Sequence, residues 1–140
     1  MSLDEEAKEF DWLLNNFVKS TGGVTDAVAV SADGLLIARS DTLELAGADQ
    51  LAAMISGFVS LGDGTTRSLD FEVLTQIIVA MKGGYLFVSA LGAAGCLGVV
   101  AEPGCDIGNI GYQMTLLVER AGRMLTPELI VELKNLVLSR

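Results

Sequence analysis

From Gly22 to Ala38 the chain reads Gly-Gly-Val-Thr-Asp-Ala-Val-Ala-Val-Ser-Ala-Asp-Gly-Leu-Leu-Ile-Ala, two β-prone runs that meet at an Asp-Gly step. Side chains alternate along a strand, so Val24, Val28 and Val30 share one face while Ala27 and Ala29 occupy the other. Both faces of this strand can therefore be buried. Asp33-Gly34 is expected to supply the positive backbone angles of a two-residue hairpin turn. The segment holds no nucleophile–base pair, no metal-ligand spacing and no phosphate loop. It suits a scaffold that presents surfaces.

The elements around this hairpin follow from periodicity. Phe10, Leu13, Leu14 and Phe17 recur at helical spacing and predict a first helix over Asp4–Lys19. Trp12 lies off that stripe; the plain reading is packing at the core edge, the sharper one a partner contact. Asp4, Glu5, Glu6, Glu9 and Asp11 make a solvated acidic face. Strands are expected over Val24–Ser31 and Leu35–Arg39. A second helix follows over Ala46–Leu61, with Ala48, Leu51, Ala52, Ile55, Phe58 and Val59 facing the core.

Gly62-Asp63-Gly64-Thr65-Thr66 interrupts that pattern, and the β-rich alternation of Asp70–Met81 predicts a third strand. Gly83–Ala101 then runs nineteen residues without a charge, close to the length of a membrane span. Five glycines divide it into Tyr85–Leu91 and Cys96–Ala101, which fit two buried strands better than one helix. Asp106 is placed to cap a helix over Ile107–Met124, with Ile110, Met114, Leu117, Val118 and Ala121 as its stripe. Thr126 and Pro127 open a closing helix that carries Leu129, Leu133, Leu136 and Val137. The order predicts one domain over residues 1–140, with a core of about 10–125 and a C-terminal helical extension over 126–140.

Two stretches invite a chemical reading. Gly62–Arg67 faintly resembles a phosphate cradle, but it lacks the Gly-x-x-x-x-Gly-Lys spacing and trails a helix instead of preceding one. A plain connector is the better reading. Gly104-Cys105-Asp106 before a helix offers backbone amides and a thiol in reach of the helix dipole, yet the chain has no histidine to act as a base, and a reactive cysteine is not expected. Two cysteines without histidine do not build the common zinc sites and are too few for a secreted disulfide framework. No catalytic residue, metal or cofactor is therefore expected.

Composition narrows the partners. Eighteen acidic against nine basic residues leave a formal charge of −9, which disfavours nucleic acid and anionic membranes. The acidic run Asp4–Glu9 stands where a secretory signal needs a basic region, so free thiols and a cytoplasmic location are expected, without membrane insertion. Hydrophobic residues make up 51% of the chain and charged residues only 19%. A domain of this size buries roughly two-thirds of its unfolded surface, so the apolar excess argues for self-association or a stable partner. The second helix offers a place for it. Gln50, Met54, Gly57 and Leu61, with Ala53 adjoining, form a further stripe beside the core-facing one. Small residues admit another helix closely, and Met makes an adaptable contact; the plainer reading is a widened core face.

The Gly-Val-x-x-Ala-Val-x-Val-Ser-x-Asp-Gly-Leu-x-Ile-Ala pattern of Gly23–Ala38 resembles the opening hairpin of the roadblock/dynein light chain domain. Leu97–Pro103 and Asp106–Gly111 are similar to the last strand of that family and its Gly-containing entry into the final helix. The resemblance covers about Phe10–Leu125. It implies an α/β fold of the α+β sandwich kind, a five-stranded antiparallel sheet with helices on both faces, roadblock/profilin-like. It also implies a homodimer through the third strand and second helix, and a non-enzymatic role in regulating or scaffolding a Ras-like small GTPase, in bacteria within motility, polarity or signalling systems. On this chain the expected interface is Gln50, Ala53, Met54, Gly57 and Leu61 on the helix, with Glu72, Leu74, Gln76 and Ile78 on the edge strand. A small-molecule sensor and a scaffold subunit without GTPase contact are the alternatives.

Overall fold

The computed structural model describes residues 1–139. Helix α1 (Leu3–Ser20) starts at a capping box: the Ser2 hydroxyl accepts from the Glu5 N–H, and the Glu5 carboxylate accepts from the Ser2 N–H. Its buried stripe is Ala7, Phe10, Leu13, Leu14 and Phe17. Strands β1 (Val24–Ser31) and β2 (Leu36–Arg39) follow, then α2 (Leu45–Leu69), β3 (Gln76–Met81), β4 (Gly84–Ala90), a short 3-10 turn at Gly92–Ala94, β5 (Gly95–Ala101), α3 (Ile107–Met124) and α4 (Pro127–Ser139). The strands form one antiparallel sheet in the order β2-β1-β5-β4-β3. The uncharged stretch Gly83–Ala101 is thus the β4–β5 pair.

Both faces of this sheet are buried. On one side Ala27, Ala29, Phe87, Leu97 and Val99 meet α1, α3 and the first part of α4. On the other, Val28, Val30, Leu86, Val88 and Cys96 meet Ala48, Ala52 and Ile55 of α2. Leu51, Phe58 and Val59 flank that contact half-buried. Helix α4 lies over β2 and α1; Leu129 and Leu133 join the first core, while Val137 reaches the second. The expected caps are present: the Asp106 carboxylate accepts from the Asn109 N–H at 3.1 Å, and the Thr126 hydroxyl from the Leu129 N–H at 3.1 Å.

Four local expectations are corrected. The hairpin turn is not the two-residue kind, because Gly34 alone is left-handed (φ 84°) and Asp33 is not. The Gly34 N–H donates to Ser31 O at 2.9 Å and the Ser31 N–H to Leu35 O at 2.8 Å. Ala32–Gly34 is therefore a three-residue connection whose glycine makes a bulge, and β2 starts at Leu36. Val24 lies on the Ala27 and Ala29 side, not with Val28 and Val30. An irregularity between Val24 and Asp26 in the pairing with β5 shifts the alternation by one residue.

Helix α2 does not stop at Leu61 but continues through Gly62-Asp63-Gly64 to Leu69. Thr65 and Thr66 donate their hydroxyls back to Leu61 O and Asp63 O, so they extend the helix instead of breaking it. Asp70, left-handed at φ 57°, ends it and donates its N–H to Thr66 O. In consequence β3 begins at Gln76, and Glu72 and Leu74 fall outside the edge strand, in the return from the lengthened helix. Arg140, the last residue of the expected extension, lies outside the described residues.

Candidate partner-binding surface

Helix α2 has one face on the sheet and one facing outward. Gln50, Ala53, Met54, Gly57 and Leu61 are all exposed, Met54 at 55% and Leu61 at 74%. Among the described residues a Cβ added at Gly57 would meet no atom within 4 Å, so no close approach within the chain requires a glycine there, although glycine in a helix interior costs about 1 kcal/mol relative to Ala. Among the described helices, α2 is the one long and apolar enough to cross a membrane by length and composition. Ala48, Ala52 and Ile55 account for only part of that apolarity.

The neighbouring strand leaves a sheet edge open. Among the described residues β3 pairs with β4 alone, which frees the N–H and C=O groups on its other side. Ile77 and Val79 lean toward α2, half-buried. On the opposite face Ile78 is exposed, and Gln76 donates its amide to the Ser89 hydroxyl at 3.2 Å. Gln76 and Ile78 thus sit on the edge strand as expected from sequence. Leu74 does not; its side chain lies on the α2 backbone at Gly62.

Sequence reasoning missed the residues joining these two elements. Leu69, Phe71 and Val73 follow or end α2, and Met81 closes β3. All four are exposed, Phe71 at 69% and Val73 at 74%. Alternation of apolar and polar residues puts Phe71 and Val73 on a strand; the reach of α2 past Leu61 turns that stretch into a loop. Asp70 and Glu72 on either side of Phe71 are both left-handed (φ 57° and 74°), a conformation that costs non-glycine residues on the order of 1 kcal/mol or more.

Beside this surface a cleft of about 930 Å³ runs between the second half of α2, residues 72–76 and the end of the β4–β5 hairpin. Val59, Asp63, Arg67, Leu74, Gln76 and Cys96 line it. Burial pushes the Cys96 thiol up to about 11, with the nearby Asp63 carboxylate adding to the shift, so it stays protonated at neutral pH. Among the described residues no group of His, Cys, Asp or Glu is placed to hold a metal ion.

A five-stranded antiparallel sheet between the long helix α2 and a layer of α1, α3 and α4, with an apolar helix face beside an open edge, defines a small α+β sandwich. The chain belongs to the Roadblock/LC7 domain family, whose model matches residues 10–101. It is 35% identical to a Roadblock/LC7 domain from Streptomyces avermitilis, covering 79% of this chain and 92% of that one at a TM-score of 0.74. It shares the fold of MglB from Myxococcus xanthus (17% identity, 92% of both chains, TM-score 0.72). It also shares that of the gliding protein MglB from Thermus thermophilus (17%, 89% and 91%, TM-score 0.74). No curated protein sequence gives a significant match.

Proposed function

We propose that this chain is a non-enzymatic, dimeric regulator or scaffold for a Ras-like small GTPase in a bacterial polarity, motility or signalling system, working in the cytoplasm without cofactor or metal. The observation that carries the proposal is the belt of exposed apolar residues that joins the outer face of α2 to the open β3 edge, on a chain of the Roadblock/LC7 family. A patch of this kind, rimmed by polar residues, marks a protein interface. The likeness to MglB, described as a gliding protein in Thermus thermophilus, supports the motility setting.

Pairing two β3 strands antiparallel satisfies the free edge, and two-fold symmetry then brings both α2 helices side by side. Gln50, Ala53, Met54, Gly57 and Leu61 serve that contact or the GTPase, together with Gln76 and Ile78. Glu72 and Leu74 belong to its margin. The test is a pull-down of a Ras-like GTPase encoded beside the gene, in its GDP and GTP-analogue forms, with light scattering on the isolated protein. Binding that favours one nucleotide state supports the proposal; no binding to either form sinks it.

The cleft beside α2 favours one second reading, a small-molecule sensor, since apolar walls with a few polar groups suit a ligand. A metabolite screen by thermal shift separates the two readings.

A further inference from the structure

The reading of α2 and β3 as a self-association surface has a consequence at the two ends of β3, and the clasp described next rests on that reading. We infer that two copies are clasped by ion pairs between the Asp70–Glu72 hook of one copy and Lys82 of the other. Antiparallel pairing of two identical strands sets the beginning of each against the end of its partner, and two-fold symmetry repeats the contact. In this chain the beginning of β3 is preceded by Asp70 and Glu72, and its end is followed by Lys82. All three are exposed, and none makes an ion pair within its own chain among the described residues. Two-fold pairing sets residues of the same face against each other; with Ile78 against the partner's Ile78, Gln76 faces the partner's Ala80 and the partner's Lys82 comes level with Leu74, two residues from Glu72.

The hook is held in place for this contact. On one side the Phe71 N–H donates to Thr66 O at 2.9 Å; on the other Leu74 packs over Gly62 and Thr75 O accepts from the Ala90 N–H at 3.1 Å. Between these anchors the left-handed backbone at Asp70 and Glu72 leaves Phe71 and Val73 exposed. They offer an apolar bed to the methylene stem of Lys82 and to the exposed Met81, while the charged head meets the acids. On a chain of net charge −9 two copies repel at long range, so a local meeting of opposite charges matters for which register they adopt. A two-residue slip of β3 against β3 that brings Lys82 level with the partner's Gln76 separates it from the hook. The clasp therefore opposes that slip as well as adding affinity.

The experiment uses the full chain and two exposed single variants, Glu72→Lys and Lys82→Glu, with folding checked by circular dichroism and assembly measured by sedimentation and native mass spectrometry. Each variant alone sets like charges together twice per dimer and is expected to weaken self-association about tenfold or more. Mixing the two variants restores opposite charges at both clasps, so mixed dimers are expected to exceed random pairing and to approach wild-type affinity. An effect inside one chain does not produce that preference. Asp70→Lys takes the place of Glu72→Lys if the latter misfolds. Wild-type protein that stays monomeric at micromolar concentration overturns the dimer reading and the clasp with it. A wild-type dimer whose variants associate unchanged, or whose mixture pairs at random, overturns the clasp alone.

Discussion

Ile55 of α2 rests its Cδ1 on the bare backbone of Gly98 in β5, where a Cβ would run into it and come within 3.3 Å of Val28 Cγ2. Ile55 is fully buried. The contact sets how closely α2 lies on the middle of the sheet, and so where its outer face stands. Gly98→Ala is expected to destabilise the fold by about 1–3 kcal/mol through overpacking. Ile55→Val removes the colliding methyl, so the double variant should lose less than the two single losses added together. Urea denaturation of the four proteins checks this; strict additivity would show that the contact does not limit the approach.

Met54→Glu places a charge on the outer face of α2, where Met54 is half-exposed and outside both cores. The fold should persist, with circular dichroism and melting close to wild type, while self-association or GTPase binding weakens. An interfacial charge buried without a partner is costly to desolvate. Unfolding of this variant would place Met54 in the core.

Asp33 accepts from the Ser31 hydroxyl and, at 3.0 Å, from Lys134 of α4. The Ser31 hydrogen bond first, and Lys134 second, hold its carboxyl below the ordinary value of 3.8. A carboxyl depressed in the folded state contributes stability above its unfolded value, and loses it as pH falls through the folded one. Asp33→Asn should therefore melt below wild type at neutral pH, and the difference should close in acid below about pH 4. A gap that stays constant across that range would count against it.

Cys96 is buried, whereas Cys105 is half-buried at the entry to α3. With its thiol held protonated, Cys96 should resist alkylation at mildly basic pH in the native state and react on unfolding. Mass spectrometry of protein treated with iodoacetamide should find native label at Cys105 alone.

Helix α4 lies beyond the segment matched by the family model, yet Leu133 is 1% exposed within the main core. Leu133→Ala is expected to cost about 2–5 kcal/mol, as for a core leucine. A loss well under 1 kcal/mol would mark α4 as a loosely held appendage.

Much of this fold is legible in the sequence because the signals are local. The caps Asp106 and Thr126 satisfy N–H groups only three residues away, and the stripes of α1 and α3 follow from helical period alone. The outer stripe of α2 is legible for the same reason. Sequence reasoning fails where a distant residue decides. Gly62 reads as a helix breaker, yet it is the place where Leu74 comes down on the helix: a Cβ would lie 2.7 Å from Leu74 Cδ2. The same error puts Glu72 and Leu74 on β3 and hides Phe71 and Val73.

By itself the sequence determined the family, the kinds and order of the elements, and which strands are apolar on both faces. These depend on residue spacing and on burial that any folded form of the chain must achieve. The tertiary structure alone decided how far α2 runs, where β3 begins and which way Val24 points. Each of those is set by a close approach or a bulge between segments far apart in the chain, and such contacts exist only once the layers have packed.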